Sequence, residues 1–438
     1  MPHTMSQPTQ LHLNLNIYGA GAHAAAWLWP QNDPLWPVTP DYFVRLAQTA
    51  ERGGFDAVFF SDRAAFPGNS LHRPFPAIEP SILLALIAAK TQHIGLLATV
   101  SSSYNEPFNI ARRFASLDLV SGGRSGVNIV TSADVEAARN FGRSAPLAHA
   151  DRYRRAAEFS QVLKDLWASW GPGGIVADRA TGQYFDPAQI RPIAHQGEFF
   201  AVEGPINVPP SPQGRPLVVQ AGGSDAGLDL AALHADAVFT LAPSLAQAQS
   251  YRQALDARLK ALGRASSAVK VFPGLVTVLG ATEQAAQQRA QALADLVPIE
   301  QGLNYLSDLL QTRFGHADLD QPLPADLPLP DNGMTTFAKN VVDKARSHGW
   351  TVRELIRAQN GGGSNHNTIV GTPEQVADYM LSWFRSGAID GFNLMHDVLP
   401  SGLEDFVDQV VPLLRKAGVY REGYSASTLR GNLGLAAA

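Results

Sequence analysis

A (β/α)8 TIM barrel is the α/β fold this sequence predicts, and three observations carry the prediction. Short runs rich in Val, Ile, Leu and Phe alternate with longer amphipathic segments along 438 residues, the mark of repeated βα units on a parallel sheet. Eight such runs can be counted, where a doubly wound sheet more often stops at about five to seven strands. The fourth run, SGVNIV, turns abruptly polar around Asn128, Thr131 and Ser132, and the carboxyl ends of barrel strands are where this architecture binds ligands.

In order, strands are expected at residues 11–17, 57–60, 94–98, 125–130, 217–220, 237–240, 269–279 and 391–395. Helices are expected at 40–52, 80–90, 107–120, 151–170, 225–234, 245–262, 283–294 and 373–386, with a last one at 402–417. The segment 107–120 shows the basis for such a reading. Pro107 suits a first helical turn, and Phe108, Ile110, Ala111, Phe114, Leu117 and Leu119 recur at roughly helical spacing. Gly122 and Gly123 then end the helix.

The whole chain, 1–438, reads as a single barrel domain with two interruptions and a tail. Residues 174–215 are rich in Gly, Pro and aromatics, and GEFFAVEGPINVPP reads as a hairpin excursion laid over the barrel. Residues 297–368 form a long insertion late in the barrel, with DLDQPLPADLPLPDNG in its middle and GGGSNHN near its end. Insertions of this length usually serve as lids or binding loops; the plainer reading is a surface excursion or subunit contact. Residues 418–438 make a tail available to wrap a partner.

Composition narrows the function classes. At 45% hydrophobic and 17% charged residues the chain can bury a full core, and a formal charge of −5 offers no basic excess for nucleic acid. No apolar run reaches membrane-spanning length, and MPHTMSQPTQ lacks the basic and apolar regions of a secretory signal. A cytoplasmic enzyme is therefore expected. Zero cysteines exclude thiolate nucleophiles, disulfides and Cys-ligated metals. The histidines show no ligand-spaced pairing, there is no G-x-S-x-G elbow, and no carboxylate pair stands out.

The remaining candidate chemistry is that of binding. AGGSDAG, residues 221–227, follows the fifth strand and opens a helix, so small residues, exposed N–H groups, the Ser224 hydroxyl and the helix dipole together make a phosphate seat at Gly223 and Ser224. HADRY, residues 149–153, stands at a helix start where Asp151 can act as N-cap and Tyr153 and Arg152 can reach the same anion. The neighbouring Arg152, Arg154 and Arg155 read mostly as a solvated face. FFSDR places Asp62 at the end of the second strand, as a ligand acceptor or as a loop cap. A site with polar strand ends, a phosphate seat and few catalytic groups points to a cofactor that carries the reaction.

The chain resembles the flavin-dependent monooxygenases of the bacterial-luciferase superfamily, in the nitrilotriacetate and dibenzothiophene-sulfone monooxygenase branch. The resemblance runs nearly end to end, through LHLNLNIYGAGAHAAAW, RLAQTAERGGFDAVFFSDR, HIGLLATVSSSYNEPFNIARRFASLDLVSGGR with GVNIVTS, DRYRRAAEFSQVLKDLW, SPQGRPLVVQAGGS, VGTPEQVADYMLSWFRSGAIDGFNLM and the tail from LPSGLEDF to GNLGL. It implies a barrel that binds FMN, reduced by a separate NAD(P)H:flavin reductase, with dioxygen as co-substrate and a peroxyflavin that oxygenates a small organic substrate. By motif, Asp62, Thr99 and Asn128 should face the flavin ring, His149 and Tyr153 the ribityl and phosphate path, and Gly223 and Ser224 the phosphate. His23 is the candidate polar group at the reaction centre, and His316 a second one, brought in by a closing insertion. A homodimer or larger homo-oligomer is expected. Four positions depart from the branch pattern: Ala22 before His23, Leu119 after SLD, Val127 before Asn128, and Gly223 in a usual Ser-Ser pair. Leu119 and Val127 are read as marks of altered substrate or activity. The substrate is expected to be aromatic or heteroaromatic, containing N or S. A deazaflavin-dependent dehydrogenase of the same superfamily and a noncatalytic flavin-binding protein are the alternatives.

Overall fold

A computed structural model describes residues 10–66, 74, 78–330, 335–359 and 366–436. Its centre is a closed parallel barrel of β1 (His12–Ile17), β2 (Ala57–Phe60), β3 (Gly95–Ser101), β4 (Ser125–Val130), β5 (Leu217–Ala221), β6 (Ala237–Thr240), β7 (Lys270–Leu279) and β8 (Gly391–His396). Each strand pairs with the next, and β8 returns to β1. Period-two patterning explains the strands. In β1, Leu13, Leu15 and Ile17 pack into the large core beneath the helices, whereas His12, Asn14 and Asn16 alternate with them toward the lumen.

The helices of the outer layer are α1 (Pro40–Arg52), α2 (Pro80–Ala88), α3 (Pro107–Val120), α4 (Val135–Asn140), α5 (His149–Trp167), α6 (Asp225–His234), α7 (Leu245–Ala261) and α8 (Glu283–Asp295). Later in the chain come α9 (Ile299–Leu310), α10 (Thr335–His348), α11 (Val352–Ala358) and α12 (Pro373–Arg385), then short helical segments from Ser401–Asp405 to Val411–Lys416. Among the described residues no helix is long and apolar enough to cross a membrane.

The amino-terminal end of the barrel is closed by the chain's own tail. Leu429 and Leu433 are buried with Ala57, Phe59, Leu97, Leu217, Ala237 and Phe272, so this part of the tail plugs its own barrel rather than reaching for a partner. Buried aspartates support the plug. Asp56, Asp236 and Asp390 each stand just before a strand and accept the N–H of Leu13, Val218 and Val271 in the strand before it, at 2.8 to 2.9 Å. Their charges are met by Arg421, by Arg215 and Arg430, and by Arg252 with Lys270. Burial alone would raise the Asp236 carboxyl, but Arg215 and Arg430 outweigh it and hold it far below the usual range.

Both interruptions have their own structure. Residues 174–215 contain two hairpins, Ile175–Asp178 with Gln183–Phe185 and His195–Gln196 with Ala201–Val202. They lie along the flank of α5, not across the barrel: Glu158 accepts the Phe199 and Phe200 N–H groups, and Trp170 donates to the Ile206 carbonyl. The insertion folds α9, α10 and α11 around a separate core that includes Leu303, Leu306, Leu310, Val342 and Leu355. Part of its Pro-rich segment, at 331–334, and most of GGGSNHN, at 361–365, lie outside the described residues.

Candidate functional site

The site is built at the carboxyl ends of the strands. Thr99 on β3 and Asn128 on β4 are register partners, both buried, and Asn128 Nδ2 donates to Thr99 Oγ1 at 3.0 Å. Asn128 faces the lumen because Val127 and Ile129, its neighbours, face the helices. Its Oδ1 has no hydrogen-bond partner among the described residues, and neither has Asn16 Oδ1 on β1. Asn393 Oδ1 on β8 is a third such atom; a buried acceptor left unsatisfied costs about 1–3 kcal/mol, so the lumen holds acceptors suited to N–H groups of a ligand. Asp62 stands two residues past β2 on the exposed rim; crowding there, with the charge of Glu79 second, raises its carboxyl pKa.

A second group converges on the turn between β5 and α6. Ser224 is the N-cap of α6, its Oγ accepting from Gly227 N at 3.2 Å, and it lies 3.4 Å from the Tyr153 hydroxyl. A side chain at Gly223 would meet nothing within 4 Å, so the backbone is open on that side. Tyr251 donates to the Gly222 carbonyl at 3.3 Å and holds the turn from behind. Asp225, whose charge opposes an anion at this helix start, is paired with Arg258 at 2.9 Å. Two hydroxyls, free N–H groups and a helix dipole fit a phosphate, and the unsatisfied Asn128 oxygen fits a polar ring, so these residues suit FMN.

Helix α5 supplies Tyr153 and His149, whose rings lie 4.8 Å apart. The helix starts at His149, two residues before the expected boundary, with Ala148 and not Asp151 at its cap; Asp151 instead pairs with Arg154 at 3.1 Å. Arg152 and Arg155 are buried, against the expectation of a mostly solvated face. Arg155 Nε donates to the Ser102 carbonyl at 3.1 Å, and its guanidinium lies 4.2 Å from the Phe200 ring centre. Only Arg154 of the three is exposed.

His23 is buried in the loop after β1, its Nδ1 accepting from Ala25 N at 3.2 Å. Hydrogen bonds from Ala22 N to His396 O and from His23 N to Asp397 O tie that loop to the end of β8, on the rim. His316 is not brought to this group: it is exposed in the insertion, with Nε2 3.3 Å from Glu300 Oε1. Leu119 and Val127 do not reach the mouth either, since Leu119 is 43% exposed on α3 and Val127 faces the helical layer. Neither can alter a substrate contact directly. Asn16 was missed in the sequence reading although the His-Leu-Asn-Leu-Asn alternation of β1 signals it. His366, which enters the mouth beside β7, had no sequence signal. Among the described residues no group of His, Asp and Glu could hold a metal ion.

Comparison with known proteins gives a concordant result. Residues 22–390 match the family described as luciferase-like monooxygenase. The chain is 40% identical over 436 residues to N-acetyl-S-(2-succino)cysteine monooxygenase of Bacillus subtilis (strain 168), covering 98% of both. It is 40% identical over 445 residues to nitrilotriacetate monooxygenase component A of Aminobacter aminovorans, covering 99% of this chain and 98% of the relative. A solved riboflavin lyase with modified FMN and riboflavin superposes with a TM-score of 0.85 at 31% identity, over 98% of this chain and 96% of that one.

Proposed function

The chain belongs to the luciferase-like monooxygenase family and is a flavin-dependent monooxygenase; from that premise we propose that it is the oxygenating component of a two-component, cytoplasmic system. A separate NAD(P)H:flavin reductase supplies reduced FMN, and dioxygen and a small organic molecule are the co-substrates. Reduced FMN, when bound, supplies the dioxygen-activating chemistry. The observation that carries the cofactor assignment is the convergence of Tyr153 and Ser224, 3.4 Å apart, at the start of α6 in the mouth that holds the unsatisfied Asn128 oxygen.

The chain's own residues bind, orient and exclude water. Gly223, Ser224 and Tyr153 hold the phosphate, with His149 along the ribityl path. Asn128, oriented by Thr99, accepts from the ring, and Asp62 closes the rim at β2. His23 would be the polar group at the reaction centre. Ala22, Val276 and Met395 form a buried apolar cluster with Phe239 packed against it, which keeps water from the flavin. The insertion acts as a lid, and His316 reaches the mouth only if its contact with Glu300 opens. A homodimer or larger homo-oligomer is the working assembly, and one relative's designation as a component A favours a reductase partner.

The test supplies the protein with a flavin reductase, NADH, FMN and 18O-labelled dioxygen across a panel of organosulfur and amine compounds. One labelled oxygen in a product is expected. FMN that binds but yields only hydrogen peroxide with every compound would favour the noncatalytic flavin-binding alternative.

A further inference from the structure

Strand β7 is ten residues long, and its pairing changes along its length. Its first four residues pair with β6, whereas from Leu275 onward that side pairs with the strand Asn367–Gly371, which returns from the insertion. Asn367 Nδ2 donates to the Ala242 carbonyl at 2.8 Å, pinning the returning chain beside the end of β6. His366 is thus set into the split between β6 and β7. A Cβ added to Gly274 on β7 would lie 2.4 Å from His366 Nδ1, so the absence of a side chain there makes room for the imidazole.

The imidazole joins an aromatic column. It stacks on Phe239 at 5.0 Å and 22°, Phe239 meets Phe59 edge-on at 5.7 Å, and Phe337 of α10 meets the imidazole edge-on at 5.9 Å. Phe239 and His366 remain partly exposed, and Phe239 continues into the cluster of Ala22, Val276 and Met395. Burial pushes the His366 pKa down to about 4, so the ring is neutral at pH 7. Three described arginines are placed or paired elsewhere. Arg152 precedes Tyr153 on the phosphate side, Arg63 pairs with Asp134 at 2.9 Å, and Arg289 is committed to Asp397. In the closed strand order β7 lies diametrically across from β3, so the aromatic column faces Thr99 and Asn128 across the mouth, with the Asn393 amide of β8 beside Gly274.

We propose that this β6–β7 wall is the substrate subsite, that it takes a flat, uncharged aryl or heteroaryl compound and not a polycarboxylate, and that His366 is its specificity-determining side chain. The proposal rests on the flavin reading of the same mouth. A flat ring slides against Phe239 and His366 by offset stacking, while these aromatic faces give a polycarboxylate nothing in exchange for the hydration it would lose.

Calorimetric titration of the FMN-loaded protein with dibenzothiophene sulfone and with nitrilotriacetate tests it. The sulfone should bind at least about 10-fold tighter. His366→Ala should weaken sulfone binding by about 2- to 13-fold, the range of one aromatic contact, His366→Phe should restore it, and FMN affinity should stay constant in both. Tighter nitrilotriacetate binding, or sulfone affinity unchanged in His366→Ala with FMN still bound, overturns the proposal. If wild-type protein takes up no FMN, the flavin reading itself fails, and the proposal with it.

Discussion

Ser224 has two tasks that a pair of substitutions can separate. Its Oγ caps α6 through Gly227 N at 3.2 Å and, 3.4 Å from the Tyr153 hydroxyl, forms one side of the phosphate seat. Ser224→Ala removes the cap, which costs about 1 kcal/mol of stability, or roughly 1 °C in Tm for a chain of this size. It also removes one hydrogen bond to a charged group, about 1.5–3 kcal/mol, equivalent to an FMN Kd raised about 13- to 160-fold. Tyr153→Phe leaves the cap in place, so its Tm without flavin should be unchanged while the Kd rises by a similar factor. Because the hydroxyls are neighbours, the double variant should fall short of the summed effects. FMN fluorescence titration and thermal melts of the flavin-free proteins give both quantities. A Tyr153→Phe Kd within about 2-fold of wild type refutes the seat.

Other expectations follow from buried groups. Leu429 is 0% exposed in the barrel plug, so Leu429→Ala should cost about 2–5 kcal/mol in urea denaturation, and an unchanged midpoint would contradict the plug. His234 and His396 are buried with pKa values pushed down to about 3, by desolvation first and by nearby cations second. The unfolded chain therefore binds protons that the folded chain refuses, and stability falls as pH drops below about 6.5. At pH 4.5 the loss is about 2–3 kcal/mol for each histidine. His396→Gln should flatten the urea midpoint between pH 6.5 and 4.5, and a slope equal to wild type removes His396 as a cause. Asn128→Leu discards an unsatisfied acceptor but also the bond to Thr99 Oγ1, two effects of opposite sign, so flavin-free stability should change by less than about 1 kcal/mol while FMN affinity falls; a large loss of stability with normal FMN binding would make Asn128 a structural residue.

The barrel was legible because its strands obey a period of two and are bounded by Gly, Pro or Asp; 57–60, 125–130 and 237–240 fall where expected to the residue. The phosphate seat was legible as a local strand-to-helix motif. What was not legible depends on contacts distant in sequence. The insertion looked like a Pro-rich loop, yet its leucines and valines close a core only once α9, α10 and α11 meet. The tail looked free because nothing local shows that Leu429 and Leu433 fit beneath the strands. Arg152 and Arg155 were misread because charge alone suggested solvent, whereas at i and i+3 they share one helix face, which packs inward with Ala156 and Phe159. Leu119 and Val127 were overvalued for the opposite reason: sequence proximity to Asn128 does not put a side chain on the lumenal face.

The central claim is that this mouth binds reduced FMN and shields its reaction with dioxygen. Anaerobic protein loaded with reduced FMN, mixed rapidly with oxygenated buffer, should return the absorbance of oxidised flavin only after a delay that free FMN lacks, and Asn128→Leu should shorten it. Reoxidation at the rate of free flavin, with reduced FMN shown to be bound, would contradict the account.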